Sequence, residues 1–283
     1  MSKHAYLIIA HNEFEVLQTL LTAIDDSRND IYVHIDRKVT QVPHLTCHNA
    51  QLHLLEERID ARWGDYSLVE TELRLFERAV SNGRYDYYHL ISGVDLPIKS
   101  QDYIHQYCTE HLGTEFIGFA SATEAELRWR TQHYFLFSRR FQDSNWLVRA
   151  IRKTAIKLQD LVGYQRHQLE IKKGCQWCSL THDFVKYLLA NRQFIYNTFH
   201  HTYCPDELFV QTLCWNSPYR EKVHTLQDEF EGCKRYIQWV DGELRPITMD
   251  DIPAIKKTSR WFARKFTRED SPTIQALLQH HES

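Results

Sequence analysis

An α/β fold, with a mostly parallel central sheet flanked by helices and a C-terminal helical extension, is what this sequence predicts, on three observations. Short apolar runs alternate with stretches of helical periodicity over the first 120 residues, several runs end in polar or acidic residues, and no linker-like, repetitive or low-complexity segment divides the chain. A single domain over residues 1–283 is the economical description.

The elements follow in order. Tyr6-Leu-Ile-Ile-Ala10 is an apolar run that stops at His11-Asn12, and Val16, Leu17, Leu20, Leu21 and Ile24 then recur at helical spacing. Ile31-Tyr-Val-His-Ile35 alternates as a strand and closes on Asp36-Arg37-Lys38, completing a β-α-β unit and implying a parallel sheet. A third apolar patch at residues 52–55 leads to Trp63-Gly64, after which Ser67 is placed to cap a helix that ends at Asn82-Gly83. Residues 87–91 form a buried-strand run and residues 116–119 a further strand. Residues 121–173 change character: arginines and aromatics mix, and a basic, helical-looking stretch covers 146–169 within an otherwise irregular excursion. Beyond Gly174 the pattern predicts a strand at 176–180, a helix at 183–189, a helix opened by Cys204-Pro-Asp-Glu207, a strand at 236–239 and helix from Asp250 onward.

Composition narrows the function classes. The 43% hydrophobic content supplies a real core, and 34 basic against 37 acidic residues are interspersed, without the basic face that a nucleic-acid binder carries. No stretch approaches the ~18 apolar residues of a spanning helix, and Met1-Ser2-Lys3-His4 runs into a strand without a signal-peptide core, so the chain is expected to stay on the side of the membrane where it is made. Seven cysteines without framework spacing suit a reducing compartment; Cys175-x-x-Cys178 reads as two strand residues flanking Trp177, not as a metal or redox pair.

The first turn, His11-Asn12-Glu13, carries neither Gly-x-Gly-x-x-Gly nor a phosphate loop, which argues against dinucleotide and P-loop binding. Ligands of a parallel sheet still sit beyond the carboxyl ends of its strands, so Ile9, His11 and Asp36 are natural contacts for a base and ribose, although an acid closing a strand also serves as a turn or cap residue. His34 reads as a strand-end histidine. Scanning every aspartate finds no Asp-x-Asp triplet.

Seven segments taken together resemble one family in order along nearly the whole chain. Ala5-Tyr-Leu-Ile-Ile-Ala-His-Asn12, Val33-His-Ile-Asp-Arg-Lys38, Trp63-Gly64 with Ser67-Leu-Val-Glu70, Leu90-Ile-Ser-Gly-Val-Asp-Leu-Pro-Ile-Lys99, Gly174-Cys-Gln-Trp177, Pro205-Asp-Glu207 and Phe262-Ala-Arg-Lys-Phe266 are similar to the core-2/I-branching β-1,6-N-acetylglucosaminyltransferases, glycosyltransferase family 14, which also includes peptide O-xylosyltransferases. The resemblance implies a GT-A-like fold, a UDP-sugar donor as co-substrate, a glycan or glycoconjugate acceptor, inversion at the anomeric carbon, and no metal or other cofactor. On that basis 1–120 is the nucleotide-binding part, 121–173 the acceptor-facing insertion, and 174–283 the catalytic and diphosphate-binding part.

The resemblance also implies roles for residues. Glu207 matches the family's catalytic base, where its helix-start position would otherwise suggest an acid favoured by the helix dipole; Asp206 beside it is a helix contact or an orienter. Lys265 matches the lysine that meets the diphosphate charge, with Arg245 as the second cation and Arg235 and Arg264 as alternatives. Asp95 is either a donor contact or a turn acid bonding amides before Pro97. Trp63 and Trp129 suit a sugar face or the core, and Arg128 and Arg130 are candidate acceptor contacts. Without an anchor or luminal leader in the sequence, the expectation is a bacterial-type cytoplasmic enzyme of surface-glycan synthesis, with peripheral association at the inner membrane face left open.

Overall fold

The computed structural model describes residues 3–142, 145–166 and 169–281; Met1 and Ser2 of the expected start, and 167–168 of the expected 146–169 stretch, lie outside the described residues. The chain begins with β1 (His4–Ala10), α1 (Phe14–Ala23), β2 (Asn29–Ile35), β3 (Gln51–Leu54), α2 (Ser67–Asn82), β4 (Tyr87–Ser92), β5 (Leu96–Pro97) and α3 (Gln101–Glu110). It continues through α4 (Glu124–Gln132), α5 (Trp146–Leu161), β6 (Ser179–Thr181), α6 (His182–Ala190), α7 (Arg192–Phe199) and α8 (Phe209–Trp215). The last part holds α9 (Glu229–Gly232), β7 (Arg235–Ile237), β8 (Trp239–Val240), β9 (Glu243–Leu244), α10 (Ile252–Lys257), β10 (Phe262–Arg264) and α11 (Ser271–His281).

The central sheet has the order β3-β2-β1-β4-β6, parallel except for β6, which runs antiparallel on β4. All seven residues of β1 are buried, as a strand covered on both faces requires. Its side chains alternate between two cores: Ala5, Leu7 and Ile9 pack with α2, α6 and α8, while Tyr6, Ile8 and Ala10 pack with α1, α3 and the C-terminal elements. Burying Leu17, Leu20 and Leu21 of α1 contributes roughly 1.5–3 kcal/mol per side chain.

A second sheet, β5-β10-β7, fixes the functional geometry. β10 pairs antiparallel with Leu96–Pro97 and parallel with β7, and the Phe266 amide donates to the Val94 carbonyl at 3.0 Å. The C-terminal Phe262-Ala-Arg-Lys-Phe266 segment therefore lies against the Ser92-Gly-Val-Asp95 turn at the end of β4. Gly93 permits the tight junction: a Cβ there would come within 2.7 Å of Ala10 Cβ.

Several expectations need correction. Ser67 opens α2 but is not its cap; Asp65 accepts from the Ser67 amide at 3.0 Å, and Ser67 Oγ accepts from the Arg62 amide. Residues 116–119 are extended yet make only isolated bridges, because the chain crosses Gly174 so closely that a Cβ at that glycine would stand 1.8 Å from the Gly118 carbonyl oxygen. The strand expected at 176–180 is confined to Ser179–Thr181, so Cys175 and Cys178 are buried loop residues. The excursion at 121–173 contains two helices, α4 and α5, of which α4 was not anticipated because its apolar periodicity is weak. α7 was likewise missed, and the strand at 236–239 is split into β7 and β8. The C-terminal region is not purely helical, since β10 runs through its middle. No helix among the described residues is long and apolar enough to cross a membrane.

Candidate active site

A cleft of about 430 Å³ opens beyond the carboxyl ends of β1, β2 and β4 and is lined by Ile9, His11, Asp36 and Trp63 among the sequence-predicted residues. It also takes in Lys38, Arg62, Arg139, Trp177 and Arg264, only the last of which the sequence had put forward, as an alternative. Parallel register explains the convergence: Ile9 sits opposite His34 in β2 and Ser92 in β4, so the three strands end together. His34 itself accepts the Ile59 amide through Nε2 and is buried, which leaves His11 as the histidine at the cleft. Burial lowers the pKa of His11, against the opposing pull of Asp36.

Asp36 is held from several sides. Its Oδ1 accepts the Lys38 amide at 2.8 Å, and its Oδ2 accepts Lys38 Nζ at 2.8 Å and the Ala61 amide at 3.1 Å. Asp60 next to it gathers Lys38, Arg62 and Arg139, with N···O distances of 3.0, 2.9 and 3.2 Å, and this pairing holds the Asp60 carboxyl well below the usual range. Three cations, Lys38, Arg62 and Arg139, stand against the two carboxylates Asp36 and Asp60, so this cluster carries one positive charge in excess, which suits an anionic ligand.

Arg264 closes the opposite side. Its guanidinium lies over the Trp177 ring at 4.5 Å, and its Nε stands 3.5 Å from Asp95 Oδ1, behind it. Neither of those two atoms has a hydrogen-bond partner among the described residues. Asp95 is wholly buried, its Oδ2 accepting the Ser92 amide at 3.0 Å, so it backs Arg264 and does not meet a donor sugar directly; burial raises its pKa and Arg264 pulls it down. Lys265 follows Arg264 and enters no ion pair among the described residues. The other two cations are engaged elsewhere. Arg235 is buried and donates to the carbonyls of Cys233, Leu90 and Cys178, while Arg245 pairs with Asp251 at 2.7 Å, outside the cleft lining.

Glu207 sits in a single 3-10 turn, Pro205–Glu207, ahead of α8. Its Oε2 accepts from Arg130 Nη2 at 3.0 Å, and the same nitrogen donates to the Cys204 carbonyl at 2.7 Å. Arg130, an acceptor-contact candidate in the sequence, is buried and instead fixes the carboxylate and its turn. The turn joins the cleft through two contacts: the Cys204 amide donates to the Gly64 carbonyl at 3.1 Å, and Trp63 meets Tyr203 edge-on at 5.6 Å. The Glu207 side chain is 38% exposed and is not itself among the residues that line the cleft.

Asp206 is not among the residues that line the cleft. It is buried with Oδ1 unpartnered, and burial together with the Glu207 charge pushes its pKa up to about 7. Glu72 lies near it, also buried and raised well above the usual range, bonded to Gln176 at 2.7 Å. Arg128 lines a separate cavity on the far side of α4, and Trp129 packs edge-on to Tyr203 and Phe135, so neither reaches the cleft. The missed residues had local signals: Lys38 and Arg62 adjoin recognised motifs, and Arg139-Arg140 stands out in the excursion. Among the described residues, the one grouping of His, Cys and acidic atoms close enough to share an ion is His4, His89 and Cys108, buried at the other end of β1. There His4 Nδ1 and His89 Nε2 bond each other at 3.0 Å.

Comparison with known proteins agrees with this architecture. The family model described as "Core-2/I-Branching enzyme" matches residues 4–274. Xylosyltransferase oxt of Drosophila melanogaster is 23% identical over 290 residues, an alignment that covers 92% of this chain. The chain spans 30% of the length of that curated relative. With its parallel sheet, strand-end cleft and family match over nearly its full length, the chain belongs to the core-2/I-branching enzyme family of glycosyltransferases.

Proposed function

We propose that the chain transfers a sugar, N-acetylglucosamine as the leading choice, from a UDP donor to a glycan hydroxyl with inversion and without a divalent cation. The base and ribose lie at the strand ends near Ile9, His11 and Asp36, and Trp63 flanks the sugar. Arg264, with Lys265 next to it, meets the diphosphate. As the acceptor oxygen forms its bond to the anomeric carbon, the hydroxyl proton passes to Glu207, and the bond to the diphosphate oxygen breaks with its electron pair leaving on UDP. Arg130 keeps Glu207 aimed.

The observation that carries this reading is Arg264: a cation on the cleft lining, set in place by Asp95 behind it and Trp177 beneath it. The absence of an Asp-x-Asp triplet in the sequence removes the usual carboxylate pair for a metal in GT-A folds and leaves the charge to such side chains. A second reading, UDP-xylose as donor, is favoured by the likeness to the Drosophila xylosyltransferase. Turnover of a panel of UDP-sugars by the purified protein in excess chelator tests both. UDP release from one donor without added cation is expected; strict dependence on a divalent ion would overturn the proposal, and preference for UDP-xylose would select the second donor.

A further inference from the structure

α5 is placed in the fold by one narrow face. Val148 is its sole buried residue, and along the same row Arg152 donates to the carbonyls of Leu136 and Phe137 while Gln159 exchanges hydrogen bonds with the Tyr134 backbone. A second face, about a quarter-turn round the helix, is apolar too. Leu147, Ile151, Leu158, Leu161 and the following Val162 recur at helical spacing and are 50%, 41%, 56%, 82% and 75% exposed. Soluble proteins rarely leave a contiguous apolar stripe of this length uncovered.

A row of cations continues round the helix from that stripe: Lys157 borders it beside Leu161, Lys153 and Arg149 turn progressively away, and with Trp129 the three line a shallow cavity. Arg149, Lys153 and Lys157 succeed one another at four-residue spacing, and none pairs with a carboxylate among the described residues. The acid on the helix, Asp160, is taken by His133 Nε2 at 2.8 Å. Trp146, 74% exposed, opens the helix. With a net formal charge of −3 for the whole chain, this basic row is a local feature. An apolar stripe bordered by Lys157, with further cations behind it on the solvent side and an indole at one end, matches an anionic lipid surface: the stripe enters the acyl boundary, the Lys157 stem lies along it with its head among the headgroups, and the indole sits at the interface. A second copy fits less well, because antiparallel pairing of two α5 stripes about a two-fold axis would set each basic row against its own copy.

We propose that α5 is an in-plane docking helix that seats this protein on an anionic membrane surface through its outer apolar stripe and basic edge. The inner face of the same helix braces the cleft, for the Arg152 guanidinium lies over the ring of Phe141, a cleft-lining residue, at 4.3 Å. Docking would thus hold the cleft at a fixed attitude to the lipid surface.

Flotation of the purified full chain with vesicles tests the proposal, using phosphatidylcholine alone or mixed with about a third phosphatidylglycerol. The wild type should float with the mixed vesicles and progressively detach as salt is raised. Leu158→Ser with Leu161→Ser, and separately Lys153→Glu with Lys157→Glu, should each lower the partition coefficient about tenfold or more. Both double variants should keep the wild-type melting temperature, because the substituted side chains are exposed. No flotation of the wild type, or undiminished flotation of both variants, overturns the proposal. A dimer of the wild type that both variants dissociate would also overturn it, by assigning the stripe to a second copy.

Discussion

On the strand-end side of the cleft, Asp36 and Asp60 spend their oxygens on the Lys38 and Ala61 amides and on Lys38, Arg62 and Arg139. On the side built from distant segments, Arg264 Nε, Asp95 Oδ1, Asp206 Oδ1 and Glu72 Oε2 are buried without a hydrogen-bond partner among the described residues. Each such atom costs about 1–3 kcal/mol relative to a satisfied one. A fold tolerates that cost where a ligand or a mobile proton completes the bonding. The contrast separates a surface whose charges are fully hydrogen-bonded from a buried backing in which Arg264 Nε and Asp95 Oδ1 answer each other only across 3.5 Å.

The sharpest way to break the contrast is Glu207→Gln, which keeps shape and the Arg130 contact but removes the base. Transfer should fall by about 10²–10⁴-fold with UDP affinity unchanged within about twofold, measured by product formation and by calorimetric titration. Unchanged transfer would remove Glu207 from the chemistry. Arg264→Ala should follow in size, weakening UDP about tenfold to a hundredfold in chelator by the same titration, the range for a lost charge-assisted bond.

Asp206 yields a pH prediction. Because its pKa is raised to about 7, the native protein keeps a proton that the unfolded chain releases near pH 4. Stability therefore falls as pH rises through that window and levels off above it, by up to ~1.4 kcal/mol per pH unit for this group. Thermal melts of Asp206→Asn between pH 4 and 8 should show a shallower slope and a higher midpoint at the alkaline end. An unaltered slope would mean that Asp206 is ionised throughout. The smallest effect is expected from Arg245→Ala: the side chain is spent on Asp251, so UDP affinity should change by less than about twofold in the same titration. A large loss would draw the β8–β9 edge into the site.

Legibility followed the same division. Residues 6–10, 14–24, 31–35 and 67–82 were readable because burial on known faces imposes periods that the side chains must obey. Ile9, His11 and Asp36 were placed by a rule of parallel sheets, and the structure brings them to one cleft. The excursion was harder: Arg130 reads as a candidate acceptor contact, yet it is buried because Glu207 and two carbonyls satisfy it. Nothing within ten residues of Arg130 announces that partnership.

What the sequence determined by itself was the alternation of elements, the strand ends as the edge where the cleft opens, the ordered motifs of the family and the place of the Pro205–Glu207 turn among them. The tertiary structure decided which charge serves which partner: Arg235 to backbone carbonyls, Arg245 to Asp251, Arg264 to the cleft with Asp95 behind it. Local pattern reports burial, a property of one segment at a time. The use of a charge depends on what other segments bring within about 4 Å of it, and here that follows from β10 pairing with β5 across more than 160 residues of chain.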